Sequence, residues 1–295
     1  MNNWSTVFTL HQVQQFIQQV QDYAFLQKAL TTSIMIGIIT GIIGCFIILR
    51  GLALMGDAIS HAILPGVAIS YMMGTNFFIG AAITGFITAL LIGLIQQSSR
   101  IKSDAAIGIV FSSFFAVGVI LIQLAQSATD LTEILFGNIL TVQDSDRNIT
   151  MVIGVVVILL VIAFFKELLI TTFDPTMAAA WGYPIKLVHY GIMVALTLVT
   201  VASLQAVGAI LVVALLITPA SAAYLLTNNL RNMLILSSIF GVISSVAGLY
   251  ISFVVNVPSG AVIVLCASFI FVLAFLFAPN NGYAWRLGRK LFTKS

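Results

Sequence analysis

The sequence predicts an all-α protein, a polytopic bundle of about nine transmembrane helices, and three observations carry that expectation. Hydrophobic residues make up 60% of the 295 positions and charged residues only 7%, against about 25% charged in soluble domains; the mean hydropathy is +1.14. Apolar runs recur from Leu30 to Ala278, each long enough to cross ~30 Å of hydrocarbon as a helix. The lysines and arginines fall between those runs. Such a chain has too little polar surface to fold in water or to present a nucleic-acid-binding face.

The spans are predicted at 30–49, 53–73, 77–97, 105–126, 149–165, 187–204, 207–226, 232–255 and 259–278, the last residues of each being the least defined part of the reading. Residues 187–227 contain no Lys, Arg, Asp or Glu. About forty helical residues would reach ~60 Å, twice the hydrocarbon thickness, so this stretch must cross twice, turning near Gln205 to Gly208. An eight-span version, with one segment re-entrant or broken, stays open. With residue 1 outside, the odd-numbered spans end in the cytoplasm. That places Arg50, Arg100, Lys102, Lys166, Lys186, Arg231 and the basic tail (Arg286, Arg289, Lys290, Lys294) inside, leaving Lys28 and Arg147 outside, the asymmetry that the positive-inside rule demands. A multi-pass cell-membrane protein with an outer amino terminus and a cytoplasmic carboxy terminus is expected.

Three regions follow. Residues 1–27 place Val13, Phe16, Ile17 and Val20 among glutamines, the spacing of an amphipathic segment lying on the outer interface; 28–280 form the permease-like membrane domain; 281–295 form a basic cytoplasmic tail. Segment 127–148 is the longest outer connection and carries Asp130, Glu133, Asp144 and Asp146; it reads as a solvated loop, with attraction of cations as the alternative. Cys45 and Cys266 lie in apolar runs and read as buried hydrophobes, with no disulfide. His11 and His189 read as surface or interfacial residues. Gly37 and Gly41, four residues apart, are expected to let helix backbones approach closely.

The informative pair is Asp57 and His61, in Arg50-Gly-Leu-Ala-Leu-Met-Gly-Asp57-Ala-Ile-Ser-His61-Ala-Ile-Leu-Pro65-Gly66. Spaced i to i+4, they share a helical face about 10 Å up the second span. An ionisable residue at such depth costs ~2.5–3.5 kcal/mol and marks a pathway or a bound ion. A carboxylate and an imidazole are half a site for a divalent transition metal, and a two-fold dimer would complete it with two Asp and two His, a set suited to Mn²⁺, Zn²⁺ or Fe²⁺. Pro65, lacking an amide hydrogen, is expected to bend the helix beside His61. The alternative is an Asp–His hydrogen-bonded pair that only pins helices together; from these residues alone the two readings weigh equally.

The same segment resembles the signature of the manganese/zinc/iron permeases of ATP-binding-cassette importers, the ABC-3 family. The resemblance continues in Ser103-Asp104-Ala105-Ala106-Ile107-Gly108-Ile109-Val110-Phe111, in Phe173-Asp174-Pro175 through Gly182-Tyr183-Pro184, in Val207-Gly208-Ala209 through Thr218-Pro219-Ala220, and in Pro258-Ser259-Gly260-Ala261. It covers about 30–280; Gly51 departs from it, where many members carry a second basic residue. The resemblance implies a type II-like importer fold, a homodimer, two cytoplasmic ATPase subunits and an extracytoplasmic metal-binding protein. It implies that Asp57 and His61 ligate a transported divalent cation, with manganese favoured over zinc or iron, and that no cofactor is permanently bound. Competing readings are a permease for a metal chelate and a proton-coupled secondary carrier.

The chain has no Gly-x-x-x-x-Gly-Lys-Ser/Thr loop, so it is expected to be a transport subunit rather than an enzyme, with nucleotide hydrolysis in a partner. Residues 166–186 form the connection that would receive the stroke. Asp174 can cap a helix with Pro175 in its first turn, and Gly182 and Pro184 can end it. A helix from Pro175 to Trp181 fits a coupling helix, with Ala178, Ala179 and Ala180 allowing a close fit and Met177 and Trp181 as apolar anchors.

Overall fold

The computed structural model describes residues 10–125 and 139–278. Among them, nine helical segments are long and apolar enough to cross a membrane. In chain order α1 (Leu10–Asp22) precedes the first span, α2 (Ala24–Leu49). The second span is two successive pieces, α3 (Ala53–Ala62) and α4 (Leu64–Met73), followed by α5 (Phe77–Ser98), α6 (Ser103–Leu124) and α7 (Asp144–Ala163). Two short helices, α8 (Phe165–Phe173) and α9 (Pro175–Ala180), lead to α10 (Ile185–Val207), α11 (Ala209–Leu226), α12 (Leu230–Val255) and α13 (Ser259–Phe277). Gly208, with φ of +83°, makes the turn expected between the sixth and seventh spans, a conformation that glycine adopts without steric cost.

The core is built around α2, whose Ile36, Ile39, Ile43, Phe46 and Ile47 are buried. Lipid tails are as apolar as leucine, so these helices are held by close contact and not by expulsion of water. Small residues make that contact possible. A Cβ on Gly37 would lie 2.7 Å from the Gly241 backbone, one on Gly41 2.9 Å from the Ser237 carbonyl, and one on Gly44 2.0 Å from the Leu216 carbonyl. Ser237 adds a hydrogen bond from its Oγ to the Gly41 carbonyl at 2.9 Å.

Two polar contacts identify which helix ends share a side of the bundle. The Lys28 ammonium meets the Asp144 carboxylate at 2.7 Å, joining the starts of α2 and α7; Asp144 also faces Arg147 at 3.8 Å. That carboxylate is therefore engaged, which favours a structural role over attraction of passing cations. At the opposite end, Arg50 reaches Thr171 and Thr172 of α8. Both cysteines are free thiols.

Four details depart from the sequence reading. The first span starts at Ala24 instead of 30, its first turn lying within the segment expected to be amphipathic. The fifth span starts at Asp144 instead of 149, because Gln143 is extended and two aspartates in the first turn complement the helix dipole. Helix α8 was not anticipated; its Leu168-Leu169-Ile170 run follows Lys166 and Glu167 and folds back against α7 and α10. The amphipathic segment 1–27 forms helix α1 from Leu10, and its Phe16 is buried edge-to-face on Tyr250, with ring centroids 5.3 Å apart. Asp130, Glu133, the basic tail 281–295 and the side chain of His11 lie outside the described residues.

Gly241→Leu should force α2 and α12 apart and lower the thermal midpoint in detergent, by about 1–3 kcal/mol or more for overpacking at backbone contact. Gly191→Ala, where an added Cβ meets nothing within 4 Å, should leave the midpoint unchanged or slightly raised.

Candidate metal-translocation site

The site begins with a chain reversal. Helix α2 stops at Arg50, Gly51 takes φ of +66°, and the amides of Gly51 and Leu52 donate to the carbonyls of Ile48 and Ile47 at 3.2 and 2.9 Å. This double closure satisfies the last carbonyls of α2 and sends α3 straight back into the bundle.

Along α3 the spacing does what the sequence implies. His61 Nε2 stands 3.5 Å from Asp57 Oδ1, with the His61 side chain 22% exposed and that of Asp57 49% exposed. The carboxylate thus looks outward from the single chain into open space. A pinning hydrogen bond would be shorter, about 2.7–2.9 Å when charge-assisted, so the geometry favours a pair held apart over a pair clasped together. The other imidazole nitrogen, Nδ1, is buried without a hydrogen-bond partner. Phe111 and Phe115 of α6 flank the ring at centroid distances of 5.7 and 5.8 Å, which fixes its plane by packing. Gly56 is less critical than its position beside Asp57 suggests: an added Cβ would meet only the tip of Leu216, at 3.1 Å.

The expected distortion at Pro65 is present as the break at Ile63 between α3 and α4. The carbonyl that Pro65 deprives of its i to i−4 donor is that of His61; the Ile63 carbonyl keeps the Val67 amide at 3.1 Å and has Thr84 Oγ1 of α5 beside it at 3.3 Å, while Thr84 also reaches the Gly80 carbonyl at 2.9 Å. Gly66 and Gly80 are in backbone contact, a Cβ on Gly66 falling 2.1 Å from the Gly80 carbonyl. The broken helix is therefore braced by α5 on one face and by the α6 phenylalanines on another. Among the described residues no cluster of three or more His, Cys, Asp and Glu side chains occurs. Each chain brings two donors to this point, fewer than the four to six that a transition metal takes.

The connection between the fifth and sixth spans carries the second feature. Asp174 Oδ1 accepts from the Met177 amide at 2.9 Å and from Thr176 Oγ1 at 2.7 Å, and Pro175 occupies the first turn. The helix ends one residue earlier than anticipated: Trp181 is its cap, Gly182 has φ of +80°, and the Tyr183 amide closes on the Ala178 carbonyl at 3.0 Å. Met177 and Trp181 are exposed, as anchors for a partner must be. Ala178 is fully buried and faces the chain's own interior, so only Ala179 and Ala180 of the three alanines are presented outward.

Comparison with known proteins bears on what this geometry serves. Residues 22–278 match the model of the ABC 3 transport family. The chain belongs to that family. It is 59% identical over 276 residues to the manganese transport system membrane protein MntC of Listeria monocytogenes, covering 94% of this chain and 99% of that protein. It is 53% identical to the manganese import system permease protein ScaB of Streptococcus gordonii, covering 93% and 99%. Among solved structures it matches a chain of PsaBC from Streptococcus pneumoniae in complex with Fab, with a TM-score of 0.83 and 54% identity over 92% of this chain and 98% of that one. This ABC 3 permease is a multi-pass membrane protein whose role is transport.

Several contacts of the permease escaped the sequence reading. Phe111 closes a segment of the family resemblance and Phe115 lies outside it, and neither shows its place beside His61 until α6 is seen against α3. Thr84 and Thr171–Thr172 carry no motif, and Arg50, although it opens the signature segment, was assigned no partner. His189, read as interfacial, is partly buried beside Tyr190 at 5.9 Å between ring centroids.

The Met177 amide and the Thr176 hydroxyl, in that order, hold the Asp174 carboxyl below its ordinary value of 3.8. A depressed folded-state value means the cap is fully formed above the ordinary carboxylate range and is lost as pH falls through the depressed value. Asp174→Ala should accelerate hydrogen exchange of the Met177 amide at neutral pH, and acidification below the carboxylate range should lower the protection factor of that amide, its rate taken relative to the intrinsic rate at the same pH, in the unsubstituted chain.

Proposed function

We propose that this chain is the permease subunit of an ATP-binding-cassette importer that carries a free divalent transition-metal cation, manganese foremost, into the cytoplasm. One observation carries the reading: a carboxylate and an imidazole on one turn of a braced, broken span, 3.5 Å apart, with the carboxylate unshielded on the face of the single chain. Two copies related by a two-fold axis would bring two such pairs together, giving four donor residues, or six donor atoms with both carboxylates bidentate. Mixed oxygen and imidazole donors suit Mn²⁺, Fe²⁺ and Zn²⁺. The names borne by the relatives, manganese transport and manganese import, support manganese among the three.

The orientation follows from charge. Arg50, Arg100, Lys102, Lys166, Lys186 and Arg231 belong to the end bearing Arg50, whereas Lys28 and Arg147 belong to the other, so the Arg50 end faces the cytoplasm. Helix α9 then lies on the cytoplasmic side, where it docks on a separate ATPase through Met177 and Trp181. An extracytoplasmic metal-binding protein delivers the ion to the opposite face. The cation is held by Asp57 and His61 of both protomers, and ATP-driven rearrangement of the helices releases it inward.

Asp57→Ala and His61→Ala should each reduce manganese affinity of the purified dimer by at least about 100-fold, more than loss of an outer partner usually costs a metal site. Each should abolish radiolabelled manganese uptake in proteoliposomes with the ATPase still bound. Normal uptake by either variant refutes the site, and uptake that persists without the ATPase makes the chain a secondary carrier. Binding of a whole chelate with no binding of the free ion identifies a chelate permease instead. Met177→Ala with Trp181→Ala should weaken assembly with the ATPase by about 30-fold or more, the loss expected of a pair of interface anchors, as read by co-purification.

A further inference from the structure

Arg50 has a geometry that ion binding and helix capping leave unexplained. Its Nη2 donates to Thr171 Oγ1 at 2.9 Å and to Thr172 Oγ1 at 3.2 Å, and its Nε to Thr172 Oγ1 at 3.2 Å. Thr171 in turn donates to the Glu167 carbonyl at 2.7 Å, which fixes its hydroxyl with an acceptor lone pair free for the guanidinium. Among the described residues no carboxylate lies within ion-pairing distance of Arg50. A charged group held only by two hydroxyls gains no counter-ion, so neutralising charge is not what the contact achieves.

What the contact joins is more telling. Arg50 is the last residue before the Gly51 turn into α3, seven positions ahead of Asp57, and Thr172 is two positions ahead of Asp174, the cap of α9. The chain takes more than a hundred residues to connect these points; the side chain connects them directly. Apolar packing between the two regions is incomplete: Leu168 belongs to the same core cluster as Ile43 and Phe46, yet a cavity of about 280 Å³ is lined by these three together with Val188. Another of about 250 Å³ opens between Leu49, Phe173 and the Tyr224–Leu230 turn. With space on both sides, the hydrogen bonds of Arg50 supply a directional link from α8 to the α2–α3 turn beyond the packing of Leu168 in the core.

We propose that Arg50 is a positioning residue for transport, a hydrogen-bonded strut that makes α8 and α9 move with the α2–α3 turn and so passes the ATPase stroke to Asp57 and His61. The strut rests on the docking of α9 to the ATPase proposed above. It acts only through the residues it ties together and touches no ion.

The test uses the whole assembled transporter in proteoliposomes, reading manganese uptake per ATP hydrolysed. Arg50→Gln, and separately Thr171→Val with Thr172→Val, should each lower that ratio by about ten-fold, the upper range for a residue that couples distant sites. Manganese binding by the resting dimer and co-purification with the ATPase should stay within two-fold of the unsubstituted protein. Combining both sets should give no further loss, because one link has been cut twice. In a background of Cys45→Ala and Cys266→Ala, Arg50→Cys with Thr172→Cys should be uncoupled. Joining the two thiols by a short cross-linker should restore coupling, a rescue that a merely local packing role would not produce. Losses that multiply in the combined variant, an unchanged ratio in assembled Arg50→Gln, or cross-linking without recovery would each overturn the strut. Undiminished assembly of the Met177/Trp181 double variant would overturn the docking reading and the strut with it.

Discussion

A carboxylate inside a hydrocarbon bundle sets the terms for everything around it. Asp57 cannot draw on bulk water at little cost, and one imidazole at 3.5 Å neither neutralises it fully nor completes a metal's coordination. The chain answers by keeping the pair on a rigid short helix with one side left open. Rigidity comes from the reversal at Gly51, from Phe111 and Phe115 against the imidazole, and from the backbone contact between Gly66 and Gly80. Openness comes from stopping the chain's own packing short of the carboxylate.

The break at Ile63 belongs to the same arrangement. A continuous helix would hold Asp57 and His61 in a fixed relation to the whole span, whereas the interruption before Pro65 divides it into a half that bears Asp57 and His61 and a half packed on α5. At the break the Ile63 carbonyl keeps its bond from the Val67 amide and has Thr84 Oγ1 at 3.3 Å, which ties the start of α4 to α5. Against this, α2 and α12 form the stiff part of the molecule, with Gly37, Gly41, Gly44 and Gly241 permitting backbone contact. Site and stiff frame meet at the end of α2, where Arg50 also grips α8.

The fold was legible because hydrocarbon imposes a coarse and strict code. Twenty apolar residues satisfy the length of a crossing, and polar backbone within it must be helical, so nine spans could be marked with shifts of only a few residues. Helix α9 was readable from Asp174, Pro175 and Gly182, whose chemistry is local. Helix α8 was not, because its apolar run between charged residues and Asp174 is too short to announce a crossing and has no capping residue to announce a start. That Ala178 turns inward while Ala179 and Ala180 are exposed was not legible for a related reason: which side of a six-residue helix faces the bundle depends on α8 and α10.

The sequence by itself determined the membrane bundle, the pairing of Asp57 with His61 through their i to i+4 spacing, the bend at Pro65 and the capped helix after Asp174. Each depends on residues within a few positions of one another or on the bulk hydropathy of a segment. Only the tertiary structure decided that the carboxylate stays open while the imidazole is enclosed by α6, that Thr84 ties the broken span to α5, and that Arg50 is tied to Thr171 and Thr172. Those contacts join residues tens to more than a hundred positions apart. Their partners are single threonines and phenylalanines that carry no pattern of their own, so their meaning arises only when packing brings them together.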